Sequence, residues 1–420
     1  MDLKSIIKEQ KLELENIQKT ERIVPRERLS DAEAFLKYPN ILVITGIRRC
    51  GKSIFSYLLE KKHNFGYVNF DDERLIGLKA GDLDLVLQAF YGLYGNVGYI
   101  VLDEIQNISG WELFANRLRR SKRVILTGSN SNLLSSELAT HITGRYVDIS
   151  LFPFSFREYL DFAGFAASTT YTSQEKAAIM GHLETYLQKG GMPESYKFGR
   201  QILMRTYEDI LTKDVVARRK IKKTDDLKKM AKFLISNVSS EITYSSLARN
   251  MGIKHVSTVS KWVSYLEECF LLFKLERFDF SLKKQFIAPK KIYCIDSGFV
   301  DAIGFKFSEN KGRILENIVA IELQRRREKD RELEIYYWKD HSQKEVDFVL
   351  KKGRKIVELV QATAISSSDE LKERETDALI AASGRLRCNS LSIITLNVES
   401  ELKLKNKKVR LIPLWKWLLE

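Results

Sequence analysis

The chain has 420 residues, 44% hydrophobic and 30% charged, which excludes a disordered polymer and a single small core and implies several globular domains. Its 69 Lys and Arg exceed its 55 Asp and Glu by 14, a basic balance that favours a polyanionic partner, nucleic acid ahead of an acidic membrane surface. The four cysteines, Cys50, Cys269, Cys294 and Cys388, lie far apart without C-x-x-C or His spacing, arguing against disulfides and zinc, and no apolar run approaches a membrane span; the expectation is a soluble cytoplasmic protein.

In chain order, residues 2–20 set Leu3, Ile6, Ile7, Leu12, Leu14 and Ile17 among lysines and glutamates. This predicts an amphipathic helix packed on the following core, with a link through Pro25 completing a 1–30 segment. From 41 to 150, strands at 41–45, 66–70, 99–102, 124–126 and 146–150 alternate with helical patterns. That order implies a parallel α/β sheet with ligands at the carboxyl ends of its strands.

The first strand runs into Gly46-Ile47-Arg48-Arg49-Cys50-Gly51-Lys52-Ser53, which fits G-x-x-x-x-G-K-[ST], with a helix expected over 52–62. In such a phosphate-binding loop, backbone N–H groups from Gly46 to Ile54 curl round phosphates, Lys52 neutralises the β/γ oxygens and Ser53 ligates magnesium. A bound nucleotide with Mg2+ is therefore expected. Cys50, beside Arg48, Arg49 and Lys52 at a helix N-terminus, is expected to have a lowered thiol pKa.

The strand at 99–102 ends in Asp103 and Glu104, 51 residues after Lys52. Asp103 is expected in the magnesium shell and Glu104 at the attacking water. The strand at 124–126 leads to Thr127-Gly128-Ser129-Asn130. It is expected beside the Asp103 strand, with Asn130 aimed at the γ-phosphate or its water.

Residues 228–280 read as a winged helix: a helix marked by Met230, Phe233 and Leu234, a short one over 243–252, a third spaced by Val256, Val259, Val263 and Leu266, then a wing strand at 270–275. Lys254, His255, Ser257, Thr258 and Lys261 face outward as candidates for DNA contact. The run 218–229, with seven bases and two acids, is a solvated face or a phosphate contact.

G-I-R-R-C-G-K-S, V-L-D-E-I-Q, L-T-G-S-N-S, T-G-R-Y-V-D-I-S-L-F-P-F-S-F-R-E-Y-L and G-G-M-P together resemble the prokaryotic AAA+ ATPases near the STAND branch. The resemblance implies a P-loop core over 31–152, a helical lid over 153–225, a winged helix over 226–298 and an α+β domain similar to restriction endonucleases over 299–420. It sets Ser129 and Asn130 at the sensor-1 position. Arg145 matches an arginine finger acting on a neighbouring subunit, or a structural salt bridge, with Arg218 or Arg219 as a second candidate. In the last domain a helix opening at 315, a strand at 334–338 and a hairpin over 345–361 are expected. Asp347 matches a nuclease carboxylate with Glu316 as a distant second, while Leu359 and Gln361 stand where the pattern has Glu and Lys, so the expectation is binding without cleavage. Glu358 points to the opposite strand face and does not substitute unless a bulge re-aims it. The functional expectation is an oligomeric ATPase coupling nucleotide state to DNA binding; the alternative is an ATP-binding switch that works through protein contacts.

Overall fold

A computed structural model describes residues 2–60, 63–134, 142–166, 168, 170–305 and 311–420, and the chain divides into two compact units. The first consists chiefly of the residues up to Pro153; the second chiefly of 165–267 and 271–420.

The first unit is built on five strands, β1 (Ile41–Thr45), β2 (Phe65–Asn69), β3 (Tyr99–Asp103), β4 (Arg123–Gly128) and β5 (Tyr146–Ser150). They pair in parallel in the order β2-β3-β4-β1-β5. β1, Ile-Leu-Val-Ile-Thr, is buried at all five positions, as a strand covered on both faces requires. Helices Lys52–Glu60, Leu83–Tyr94 and Trp111–Leu118 follow β1, β2 and β3, and Phe90 and Trp111 join Val43, Val68, Leu102 and Leu126 in one core. The last two residues of the helix expected over 52–62 lie outside the described residues.

The N-terminal helix, Leu3–Thr20, begins where Asp2 accepts the N–H groups of Lys4 and Ser5, and it sinks Ile6 and Ile7 into the same core. Its Gln10 amide donates to Asn69 O at 3.1 Å while Gln10 Oε1 accepts Asn69 N–H at 2.9 Å. These bonds occupy backbone groups on the edge strand β2 that would otherwise be open to pairing. The packing expected of residues 2–20 is present.

The second unit opens with helices Ser173–Lys189 and Arg200–Asp209 and a π-helical stretch, Ile210–Ala217. A run of helix, strand, helix, helix, strand, helix, strand follows: Thr224–Ser236, β6 (Ser240–Ile242), Tyr244–Asn250, Val256–Glu268, β7 (Leu272–Arg277), Leu282–Ile287 and β8 (Lys290–Cys294). On Val256–Glu268 the expected Val259, Val263 and Leu266 are buried together with Trp262. Val256 is instead 42% exposed, because it occupies the first position of the helix, one turn before its first buried residue.

Beyond the helix Lys311–Lys329 come β9 (Leu333–Lys339), β10 (Glu345–Lys352), β11 (Lys355–Thr363), the helix Glu373–Leu386, β12 (Leu391–Thr395), β13 (Ser400–Leu404) and β14 (Lys407–Pro413). β10 and β11 form the expected hairpin. β7 pairs in parallel with β9 at Glu276–Tyr336 and Arg277–Tyr337, joining all nine strands in the order β13-β14-β12-β11-β10-β9-β7-β8-β6. The sheet thus runs unbroken across residue 298, where the sequence suggests a boundary. Leu359 lies fully buried in its core with Val346, Leu379 and Ile393.

Candidate active site

The strand order places β4 between β1 and β3, so the carboxyl ends of these three strands lie side by side. β1 feeds the loop 46–51. There Gly46 has φ +153°, and a Cβ on it would fall 2.2 Å from Leu151 O, so no other residue fits. Gly51 (φ +98°) and Arg49 (φ +66°) also take left-handed conformations. Left-handed residues set among ordinary ones are the backbone pattern from which anion-binding nests are built.

Lys52 begins the following helix and is buried. Its Nζ donates to the carbonyls of Gly46 at 3.2 Å and Ile47 at 3.3 Å and pairs with Glu104 Oε1 at 3.5 Å. Burial is the largest single influence and opposes its charge, but Glu104, Cys50 and Asp103 together outweigh it and raise the Lys52 pKa. Arg48 Nη1 contacts Asp71 Oδ2 at 3.2 Å. Cys50 corrects the expectation made for it: its side chain is fully buried, and burial pushes the thiol pKa up despite Lys52 and Arg26 nearby.

Asp103 and Glu104 end β3. Asp103 is buried, accepts the Tyr67 hydroxyl at 2.6 Å on Oδ2, the Thr127 hydroxyl on Oδ1, and a further hydrogen bond from Ser53. Burial and then the Glu104 charge raise its pKa. Burial would also raise Glu104, but Lys52 foremost, then Gln106, Arg48 and the Ser129 N–H, hold it below the ordinary value. Glu104 Oε2 accepts Gln106 Nε2, Ser129 N–H at 3.2 Å and the Ser129 hydroxyl at 3.1 Å. Its own N–H donates to Thr127 Oγ1 at 3.1 Å, and its backbone is left-handed at φ 52°.

Lys52, Ser53, Asp103 and Glu104 are therefore brought together. Tyr67, Thr127 and Gln106 belong to the same site although the sequence reading passed over them. Asn130 is buried just beyond β4, but Ser129 is the residue bonded to Glu104. The Ser53 hydroxyl and the Asp103 carboxylate, both oxygen donors, fit a small divalent cation such as magnesium.

Arg145 lies elsewhere. Its carbonyl accepts Ile41 N–H at 2.9 Å at the amino end of β1, whereas the phosphate loop leaves the carboxyl end at Thr45, roughly 13 Å along the strand. Arg218 approaches Asp214 at 4.0 Å, and Arg219 stacks over the Tyr265 ring at 4.7 Å. Of the residues expected to face DNA, Lys254, His255, Ser257 and Lys261 are exposed and Thr258 is half-buried at the start of Val256–Glu268.

A second polar constellation lies in the second unit. Lys291, on β8 and 1% exposed, places Nζ 2.9 Å from Glu316 Oε1, 2.9 Å from Asp347 Oδ1 and 2.6 Å from Glu345 Oε1. Burial opposes the Lys291 charge, but Asp347 and Glu316 lead in holding its pKa well above the usual range. Burial and Asp347 push Glu316 upward. Glu316 is thus no distant second to Asp347; both carboxylates bind the same ammonium, which the sequence reading missed. Gln361 Oε1 accepts Asp347 N–H at 3.3 Å, and Glu358 turns away to Ser392 at 2.6 Å and Arg410 at 3.2 Å, as strand alternation predicts. Among the described residues no group of three His, Cys, Asp or Glu is arranged to hold a metal as the side chains stand, the three acids around Lys291 included, and no helix is long and apolar enough to cross a membrane.

The parallel sheet, the glycine-bounded loop with Lys52 and Ser53, and the acidic end of β3 define a P-loop ATPase domain of the AAA type; residues 38–160 match the family described as AAA domain. The chain belongs to the same family as the uncharacterized protein MJ1544 of Methanocaldococcus jannaschii, to which it is 33% identical over 439 residues, covering 100% of this chain and 96% of that one. An uncharacterized protein of Haemophilus influenzae is 32% identical over 360 residues, 81% of this chain and 86% of its own. Residues 180–310 and 311–417 match two domains of unknown function, DUF8612 and DUF4143. Among solved structures, the Walker-type ATPase PABY2304 of Pyrococcus abyssi is similar at TM-score 0.46 and 13% identity, covering 67% of this chain and 96% of that one. Cdc6p from Pyrobaculum aerophilum is similar at TM-score 0.27 and 14% identity, covering 72% of this chain and 97% of that one.

Proposed function

We propose that the chain hydrolyses ATP and couples its nucleotide state to DNA binding by the second unit. The observation that carries the ATPase reading is the convergence of Lys52, Asp103 and Glu104 at the carboxyl ends of neighbouring strands, with Thr127 of β4 bonded to both acids' residues. In this reading the loop N–H groups and Lys52 bind the β- and γ-phosphates, and Ser53 and Asp103 hold magnesium. When bound, magnesium neutralises charge developing on the phosphate oxygens. Glu104, kept ionised by Lys52, accepts the proton of a water placed in line with the γ-phosphate, and positioning supplies most of the rate. ATP phosphates would compete for Lys52 and release Glu104 for that task.

Glu104 is engaged by Lys52, Gln106 and Ser129 together, which favours a second reading, a switch that binds ATP and seldom turns over. Turnover measured over many equivalents of ATP separates the two.

DNA contact is proposed for Lys254, His255, Ser257, Thr258 and Lys261, supported by the exposed basic start of Val256–Glu268 in a helix, strand, helix, helix, strand, helix, strand run and by the excess of 14 positive charges. The test is DNA affinity against salt: Lys254→Ala and Lys261→Ala should each weaken binding and reduce the log–log slope by about one unit. Unchanged affinity in both would assign this helix to protein contact. For the assembly we propose a homo-oligomer. Arg145, held at the far end of the sheet from its own phosphate loop, would then act on the nucleotide of a neighbouring copy.

A further inference from the structure

Three carboxylates from two elements converge on one point in the second unit. Glu316 comes from the middle of Lys311–Lys329, while Glu345 and Asp347 stand two residues apart on β10 and therefore on one face of the strand. The point itself is taken by Lys291 Nζ, with carboxylate oxygens at 2.6, 2.9 and 2.9 Å.

The arrangement differs from an ordinary ion pair in three respects. Three acids surround the one buried ammonium, and Lys339 gives a second cationic contact only to Glu345, at 3.1 Å. The acids are themselves held in place: Tyr293 donates its hydroxyl to Glu316 at 2.8 Å, and Ala362 N–H donates to Asp347 Oδ2 at 3.0 Å. Such outer bonds fix the ligands of a metal and are more than a single lysine requires. Finally, the oxygens sit 2.6–2.9 Å from the ammonium, roughly 0.4–0.9 Å farther than the 2.0–2.2 Å or so that a small divalent cation takes, so side-chain closure of that order would bring them to it.

We propose that the Lys291 ammonium is the resident cation of a carboxylate site with the make-up of a divalent-metal centre, and that it keeps metal out of that site in this chain. The inference is independent of the ATPase reading, since it concerns the second unit alone. It makes the C-terminal carboxylates a closed, lysine-plugged cluster, and it predicts that removing one side chain opens the site.

The test uses the full-length chain without nucleotide and Mn2+ as the probe, followed by calorimetry, Mn2+ spin resonance and thermal melting. The parent should show no Mn2+ uptake that Asp347→Asn removes. Lys291→Ala should melt lower than the parent in chelator, bind one additional Mn2+, and regain roughly 5–10 °C at a hundredfold excess over Kd. Lys291→Ala combined with Asp347→Asn should lose that additional ion, which separates this site from any Mn2+ held in the first unit. If Lys291→Ala does not fold, Lys291→Gln, which keeps most of the side chain's bulk, carries the same comparison. If neither folds, refolding yield with and without Mn2+ is read instead, and a yield indifferent to metal overturns the proposal. Parent protein that binds Mn2+ through Asp347 overturns it directly, as does a folded Lys291 variant that gains no ion.

Discussion

Lys52 Nζ and Glu104 Oε1 stand 3.5 Å apart in a buried setting, so the residue expected to meet phosphate and the residue expected to meet water hold each other's charge. Each then sets the other's ionisation: Glu104 raises the Lys52 pKa, and Lys52 is the foremost group lowering that of Glu104. Substituting either therefore changes two functions, and the two substitutions are not expected to add.

Thr127 should prove as necessary as its neighbours. Its hydroxyl donates to Asp103 and accepts the Glu104 N–H, tying β4 to the end of β3. Thr127→Val keeps the shape and removes both bonds, leaving a buried carboxylate short of a donor at a cost of about 1–3 kcal/mol. Lower thermal stability with a reduced ATPase rate is expected. A variant equal to the parent in both would remove Thr127 from the site.

Arg145 should act only between copies. Arg145→Ala alone should keep ATP binding and lose hydrolysis. Mixing it with Lys52→Ala should restore part of the rate, because some interfaces pair an intact loop with an intact arginine. A mixed oligomer with no recovered activity would count against action on a neighbour.

Asp296 should give the second unit a pH dependence. It is buried, accepts Gly191 N–H at 2.5 Å and Gly298 N–H at 2.9 Å, and burial raises its pKa to about 7. Gly190 must be glycine beside it, since a Cβ there would meet Asp296 Oδ1 at 2.0 Å. Between the ordinary carboxylate value of 3.8 and about 7 the unfolded chain has lost this proton and the folded chain keeps it. The unfolded state then binds fewer protons, so the contribution of Asp296 to stability is fully present below about pH 4 and falls as pH rises to about 7. Melting temperature followed over that window should decline less in Asp296→Asn than in the parent. Parallel curves would place the pKa of Asp296 near its ordinary value.

Much of the first unit was legible in the sequence because a parallel sheet covered on both faces writes its strands as unbroken apolar runs, as at Ile41–Thr45 and Tyr99–Asp103. The phosphate loop and the paired acids were legible for a related reason: their spacing is local. The roles of Tyr67 and Thr127 were not: β4 is expected beside β3, but that β2 flanks the other side, and which hydroxyls then reach Asp103, is a relation of topology that neither segment carries alone. Cys50 shows the converse failure. Its cationic neighbours could be read off the chain, but the burial that outweighs them could not. Lys291 was hidden in Lys-Lys-Ile-Tyr-Cys, where two adjacent lysines suggest a solvated end and both are in fact buried.

The central claim, that Lys52 and Glu104 form the working pair of an ATPase site, is tested most directly by measuring ATP binding and steady-state phosphate release in the parent, Lys52→Ala and Glu104→Gln. Lys52→Ala is expected to lose binding, and Glu104→Gln to keep binding while its hydrolysis falls by roughly 10²–10⁴-fold, the usual worth of a positioned general base. Glu104→Gln hydrolysing ATP at the parent rate, or Lys52→Ala binding ATP as tightly as the parent, would contradict the claim.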